Sequence, residues 1–520
     1  TPERVQMLTL TSALARTARL YGDCNAVLDA RCRVTWSEFA DRVARAGAIL
    51  LSLRIGKGDR YGLICRNSFH QAELIHAGYW IGAIAVPVNY RLAPPEIAYV
   101  LGNAECELLI VEDVFSEVMS SDELLPWSDK VLLLTDTRID SRWPQYETLL
   151  QEARPAEMHD SAEAEDALLL YTGGTTGRAK GVRLSHLNIV ANALQLGFEL
   201  RPRSDDVYLH VAPMFHSADL LATPYAMAGA AQVYLPQFSG HAVLEAIQRY
   251  GVTVSMMTPT MLIMAMQDAD IDRYDLSSLR QLIYGSSPMA VEWIRKMLDR
   301  FVDVEIIQAY GLTETAPILT LLPAAEHRQA IATGDHDLLK SAGRPVPGVD
   351  LRIVDERGKE VAAGAAGEII VRGPNVTKGY LKRPEATEAA FHEGWFHTGD
   401  IGRTNGRGYL YLLDRKKDLV ITGGEMVFSS EVEAVLYQNP KVHECAVIGV
   451  PDETFGEALL AAVVPAHGHT PTEEELIAHC RGKIGGYKIP RRFVFLDALP
   501  KSAMDKILKT ELRKTYGGKD

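Results

Sequence analysis

The sequence predicts a layered α/β protein: a large N-terminal region of α/β subdomains with a small β-rich piece, then a small mobile α/β C-terminal domain. Three observations predict it. Short β-branched or Leu-rich runs alternate with amphipathic stretches through most of the chain, the texture changes near residue 345, and a compact α/β segment follows the basic run RKKD at 415–418. At 520 residues the chain exceeds one ordinary core. The expected boundaries are 1–414 for the N-terminal region, 415–417 for a hinge and 418–520 for the C-terminal domain.

In chain order, YGLIC (61–65) reads as a strand, 69–81 as a helix, AIAVPV (83–88) as a strand, 94–102 as a helix and ELLIV (107–111) as a strand. The apolar stretch 72–88 contains Glu73, His76 and Pro87, so it reads as a buried helix running into a strand rather than a membrane span. The alternation resumes with VYLHVAP (207–213), QVYLP (232–236), a helix near 241–250, VTVSMM (252–257), QLIYG (281–285), a helix near 290–301 and VEIIQAYG (304–311). Such alternation is the signature of βα units on largely parallel sheets. From about 345 to 414, VDLRIVDERGKEV and GEIIVRG read as strands joined by Asp- and Gly-containing turns. DLVIT, a helix at 429–438, CAVIGV, LLAAVV, a helix at 473–482 and FVFL make up the C-terminal domain.

Composition narrows the function classes. A formal net charge of −13 gives no electrostatic reason to expect a nucleic-acid partner. The six cysteines show no C-x-x-C pair, so neither a disulfide framework nor a zinc site is signalled and a reducing cytoplasm fits. TPERVQMLTL has no basic stretch leading into an apolar one, so no secretory signal is expected.

The chemistry starts at LLLYTGGTTGRAKGV, 168–182. A buried strand at 167–171 leads into a loop whose glycine amides and the hydroxyls of Thr172, Thr175 and Thr176 suit polyphosphate oxygens, with Arg178 and Lys180 adding positive charge. It is not a Walker A loop, because Ala179 precedes Lys180 and Gly181 follows it.

YTGGTTGRAKGV resembles the YTSGTTGxPKGV phosphate loop of the adenylate-forming enzymes, the superfamily of acyl-CoA synthetases, peptide-synthetase adenylation domains and beetle luciferases. Further motifs follow in that family's order across nearly the whole chain: GSSPM (285–289), QAYGLTET (308–315), HTGDIG (397–402), DRKKDLVITGGEMV (414–427) and LPKSAMDKILKTELRK (499–514). The sequence departs at Gly173, where serine is usual, at Ala179, where proline is usual, and at Asp505, where glycine precedes the lysine. The first removes a hydroxyl, the second loosens the loop, and the third sets a carboxylate beside the ammonium.

The resemblance implies an ATP-dependent carboxylic acid–CoA ligase of the acyl-CoA synthetase branch, with ATP, Mg2+ and coenzyme A. The acid attacks the α-phosphate, pyrophosphate leaves, and coenzyme A then takes the acyl group after the C-terminal domain rotates. Residue by residue, it implies Thr172, Gly173, Gly174, Thr175, Thr176, Gly177 and Lys180 at the ATP phosphates. Gly285, Ser286, Ser287 and Pro288 would lie against adenine and the acyl group, followed by Gln308, Ala309, Tyr310 and Gly311. Thr313 would contact the α-phosphate, Glu314 would hold Mg2+, and Asp400 and Arg415 would hold the ribose.

Lys417 would be the pivot, Gly423, Gly424 and Glu425 the thiol tunnel, Lys506 the catalytic lysine, and His216 the residue near the acid's carboxylate. Lys488, in the basic run RGKIGGYKIPRR (481–492), is open between coenzyme A phosphates and a solvated face. The acyl pocket is expected from 211–220, 255–260, 285–289 and the residues after YGLTE, for an aromatic, branched or medium-chain acid. The rival readings are a free-standing enzyme that loads a carrier protein and a nucleotide-binding regulator. A homodimer stays open.

Overall fold

The computed structural model describes residues 8–30, 32–135, 139, 141–172, 179–423, 425–502 and 507–517. They divide into two compact units, one of residues 8–172, 179–350 and 372–396, the other of residues 351–371 and 397–517. No helix among the described residues is long and apolar enough to cross a membrane.

The first unit is built on two sheets. The six-stranded one runs Val131–Leu134, Cys106–Glu112, Arg60–Ile64, Ile84–Pro87, Asp166–Thr172, Lys180–Ser185. All its neighbours pair in parallel except the last two, which are antiparallel. The nine-stranded sheet runs Arg344–Pro345, Ile318–Leu322, Glu305–Gly311, Gln281–Gly285, Val254–Met257, Val207–His210, Ala231–Tyr234, Asn25–Leu28, Arg33–Thr35. Its middle is parallel and its two ends antiparallel. Ligands of open parallel sheets bind beyond the carboxyl ends of the strands, and 285–288 and 311–314 leave the sheet at those ends.

The helix Phe69–Ile81 shows how local sequence makes these layers. The Ser68 side chain accepts from the Gln71 N–H at its start, and Gly82, at φ 77°, ends it in the left-handed conformation that glycine tolerates. It is buried on nearly every face, which explains why its apolar pattern reads almost as a membrane segment. Its buried Glu73 pairs with Arg42 and accepts from the Tyr146 hydroxyl at 3.0 Å. His70, Glu73 and Glu147 lie close enough to grip a cation, but Arg42 already pairs with both carboxylates.

The second unit contains most of the β-rich strands Asp350–Val354, Gly367–Arg372, Trp395–Thr404 and Leu410–Arg415, and the C-terminal α/β segment, while Phe391–His392 falls in the first unit. In the latter, Val442–Asp452 and Gly456–Pro465 form a long antiparallel pair, and Arg492–Phe495 joins the second strand in parallel. Helices Ser429–Leu436, Glu473–Cys480 and Lys509–Tyr516 cover this sheet, whose core includes Val447, Leu459, Ala461 and Val463. The strands and helices read from 418 onward are present, with ends shifted by a few residues.

Candidate active site

In the first unit the site begins where the glycine loop is closed. Thr172 and Lys180 are direct antiparallel partners, so the strands on either side of the glycine-rich run are paired. The Tyr99 hydroxyl donates to the Ala179 carbonyl at 2.9 Å, and Arg383 Nη2 donates to that hydroxyl oxygen at 3.1 Å. Tyr99 therefore anchors the leg where proline is missing. Gly173, Gly174, Thr175, Thr176 and Gly177 lie outside the described residues, as do Gly424 and Lys506.

The turn after strand Glu305–Gly311 carries Thr313 and Glu314. Gly311 is required for close approach, since a Cβ there would sit 1.9 Å from the Pro317 carbonyl. Thr313 is buried, with its Oγ1 3.0 Å from Ser217 Oγ. Glu314 Oε1 accepts from the Tyr380 hydroxyl at 2.9 Å, and its carbonyl accepts from the Thr377 N–H at 2.7 Å. Burial first, then the Glu314 carboxylate, holds the Tyr380 phenol well above its ordinary pKa, so it stays a donor. Lys180 Nζ lies 4.8 Å from the centre of the same ring, within cation–π reach.

Two asparagines stitch these pieces together. Asn375 Nδ2 donates to the Thr315 carbonyl at 2.8 Å, and Asn188 Nδ2 donates to the carbonyls of Pro374 and Val376 at 2.8 Å. A lysine, a carboxylate and three hydroxyl-bearing side chains are thus gathered in the first unit.

Beside them, Gly285 and Ala309 are partners in adjacent parallel strands, and a Cβ on Gly285 would meet the Ala309 carbonyl at 2.3 Å. Ser286 takes φ 69°, a left-handed strain of the kind that clusters at functional sites. Ser287 and Pro288 are exposed, while Ala309 and Tyr310 are buried. Gln308 Oε1 is shielded without a hydrogen-bond partner, an orphan acceptor next to the predicted nucleotide-binding run. His216 Nδ1 accepts from the Ala218 N–H at 3.1 Å, which puts the proton of the neutral ring on Nε2. Met256 and Met257 are buried core residues of their strand.

In the second unit Asp400 and Arg415 are partners across an antiparallel pair, and Arg415 Nε lies 2.7 Å from Asp400 Oδ1. Asp400 is buried and Arg415 is 47% exposed. Burial first, with help from Arg415 and Arg513, holds the Lys417 ammonium below the usual lysine range, against the opposing pull of Asp418 and Asp400. Gly423, at φ 60°, donates its N–H to the Phe455 carbonyl at 2.9 Å, and Glu425 is exposed. Lys488 Nζ pairs with Glu431 at 2.7 Å.

Beyond the motifs lie two ties at the flanks of 415–417. Lys509, on the last helix, pairs with Glu433 at 2.7 Å and donates to Ser429 Oγ at 2.6 Å, and that hydroxyl donates to Asp414 Oδ2 at 2.7 Å. Arg513, on the same helix, lies 2.8 Å from Asp418 Oδ1. Tyr380, Ser217, Tyr99, Lys509 and Arg513 were not singled out by sequence reasoning. Their partners are distant in the chain, and no local spacing marks them.

Residues 14–381 match the family described as AMP-binding enzyme, and residues 431–506 match the AMP-binding enzyme C-terminal domain. A feruloyl-CoA synthase of Amycolatopsis sp is 36% identical over 504 residues, covering 96% of this chain and 98% of that protein. A 2-succinylbenzoate–CoA ligase of Bacillus cytotoxicus is 34% identical over 511 residues, 98% of this chain and 99% of its own length. Among solved structures, ATP-bound MatB from Rhodopseudomonas palustris superposes with a TM-score of 0.87 at 30% identity, covering 98% of this chain and 99% of MatB.

Proposed function

The chain belongs to the adenylate-forming AMP-binding enzymes and is an AMP-forming acid–CoA ligase, and from that premise we propose how its residues divide the work. The observation that carries the proposal is the cluster of buried Thr313 and Ser217 with half-buried Glu314 and Tyr380, beside Lys180.

Carboxylate and triphosphate are both anionic, so the first half-reaction needs donors and cations fixed in advance. A carboxylate oxygen of the acid attacks the α-phosphorus, the bond to the bridging oxygen breaks, and pyrophosphate carries away the electron pair. Thr313 donates to the α-phosphate, and Lys180 with the glycine loop holds the β- and γ-phosphates. Lys506, brought in on the C-terminal segment, stabilises the charge of the transition state. Glu314 fits Mg2+, a hard cation that takes oxygen ligands, because a carboxylate keeps lone pairs beyond the one accepting from Tyr380. The ion supplies charge neutralisation across the phosphates. Asp400 takes the ribose hydroxyls with Arg415 alongside, and 285–288 with 308–311 lies against the adenine.

In the second half-reaction the thiol of coenzyme A attacks the acyl carbonyl and AMP departs. The reading gives Lys417 the pivot and Gly423, Gly424 and Glu425 the thiol path, gating of a kind that hinge segments perform. Lys488 is spoken for by Glu431, so it reaches coenzyme A only by exchanging that partner. The acid is aromatic, a reading supported by relatives named for ferulate and succinylbenzoate. A cytoplasmic enzyme suits six free cysteines. A homodimer is compatible with this reading and is decided by size-exclusion chromatography.

The test is pyrophosphate release from ATP and Mg2+ across short, branched, medium-chain and aromatic acids, with and without coenzyme A, with products identified by mass. Aryl-CoA formation is expected. Acyl-AMP alone points to a carrier-protein acceptor, and no turnover on any acid contradicts the ligase.

A further inference from the structure

Three pieces of the first unit meet where the strand Lys180–Ser185 begins: that strand, the helix Pro94–Ala104 and the segment 379–383. The helix is fixed along one face, where Ile97, Val100, Leu101 and Ala104 are buried, and at its start, where Glu96 accepts from the Ala93 N–H at 2.9 Å. Tyr99 and Asn103, four residues apart, share a different face. Each holds one of the two paired strands that flank the glycine-rich run. The Tyr171 hydroxyl donates to Asn103 Oδ1 at 2.7 Å, and the Tyr99 hydroxyl donates to the Ala179 carbonyl at 2.9 Å. Gly181 leaves room for the first reach, because Tyr171 is its strand partner and a Cβ there would lie 3.0 Å from the Tyr171 ring.

The segment 379–383 runs along the outer side of the same strand. The Leu381 N–H donates to the Gly181 carbonyl at 2.8 Å, and the Arg183 N–H donates to the Gly379 carbonyl at 3.2 Å. Two of its cations then reach the helix and its end: Lys382 Nζ pairs with Glu105 at 2.6 Å, and Arg383 Nη2 donates to the Tyr99 hydroxyl oxygen at 3.1 Å. A hydroxyl that accepts from a guanidinium is polarised and becomes a stronger donor.

The carbonyl that Tyr99 holds belongs to the planar peptide unit that also carries the Lys180 N–H. One bond therefore sets the plane from which Lys180 leaves, and Lys180 Nζ lies 4.8 Å from the centre of the Tyr380 ring. A proline at 179 would restrain the same stretch from within by fixing φ, which alanine leaves free. We propose that Tyr99, polarised by Arg383, is a positioning residue for Lys180 and supplies from outside the strand the restraint that Ala179 lacks. This rests on the reading that Lys180 holds the ATP phosphates.

The test measures pyrophosphate release with the acid of the panel above that reacts fastest, giving KM for ATP and KM for acid. The variants are Lys180→Ala, Tyr99→Phe, Arg383→Gln, and Tyr99→Phe combined with either Arg383→Gln or Ala179→Pro. Tyr99→Phe should raise the KM for ATP about 3- to 10-fold, the worth of one hydrogen bond, and leave the KM for acid within about 2-fold. Arg383→Gln should raise the KM for ATP less, and adding it to Tyr99→Phe should change nothing further, because it acts through the lost hydroxyl. Ala179→Pro should bring the Tyr99→Phe value back to within about 2-fold of the wild type. A merely structural Tyr99 would lower the unfolding midpoint and leave both KM values alone, which overturns the proposal, as do additive losses or no recovery with proline. Lys180→Ala should raise the KM for ATP more than Tyr99→Phe does; if it leaves that KM unchanged, the reading of Lys180 falls and the proposal with it. No pyrophosphate release from the wild type with any acid overturns the ligase reading and the proposal together.

Discussion

The turn at 312–317 in the first unit and the expected hinge at 415–417 in the second are held by different forces. The turn is locked by buried neutral contacts: Thr313 to Ser217, Asn375 to the Thr315 carbonyl, and Thr315 Oγ1 donating to the Pro317 carbonyl at 2.9 Å. The hinge is held by ion pairs with one half-exposed partner, Arg415 with Asp400 and Lys416 with Glu368, the lysine being 58% exposed. Pairs of that kind contribute about 0–1 kcal/mol. The difference fits the division of work proposed above, in which phosphate-handling groups need fixed geometry whereas a pivot needs contacts that break at little cost.

The sharpest way to break this contrast is to loosen the tie that flanks the hinge. Lys509→Ala leaves the half-buried Glu433 without its cation and should cost about 1–3 kcal/mol, read as a lower unfolding midpoint of the second unit. Adding Glu433→Gln should recover most of it, and a neutral single variant would show that the tie is weak. Glu314→Gln should slow pyrophosphate release about 100- to 1000-fold with the unfolding midpoint nearly unchanged, since a charge at the reacting centre is lost but the Tyr380 contact remains available.

Acid should destabilise the first unit through buried histidines. His76, His186 and His327 have pKa values lowered from 6.5 to about 4 by burial. The unfolded chain therefore binds more protons between those values, so their stabilisation is complete above pH 6.5 and is lost as pH falls toward 4. At pH 5 the loss is about 2 kcal/mol per histidine, visible in urea midpoints across pH 7 to 5. The smallest effect expected is that of Tyr380→Phe, roughly a 10-fold slower adenylation from one lost bond to a charged acceptor. Measured as kcat with saturating acid, no change would mean that Tyr380 only packs.

The layered fold was legible because βα alternation writes itself into local patterns: 61–65, 69–81 and 281–285 read as strand, helix and strand, and the structure has Arg60–Ile64, Phe69–Ile81 and Gln281–Gly285 there. Thr313 and Glu314 were legible as a motif, because a strand end, a glycine and a short polar turn sit together in the chain. Tyr380 was not, since it meets Glu314 across 66 residues, nor was the Lys509–Glu433 pair, with 76 positions between its members. Of the stretches expected to line an acyl pocket, Met214, His216, Asp219 and Leu220 line a cavity of the first unit, while Met256 and Met257 fill the sheet core.

The central claim is that the two half-reactions draw on separately built parts, and Lys417→Pro tests it most directly. Proline restricts the pivot without touching Thr313, Glu314 or Tyr380. With ATP, Mg2+ and an aryl acid, single-turnover mass analysis should find acyl-AMP formed within about 10-fold of the wild-type rate, and acyl-CoA formation lowered by at least about 100-fold. Equal loss of both products would contradict the division.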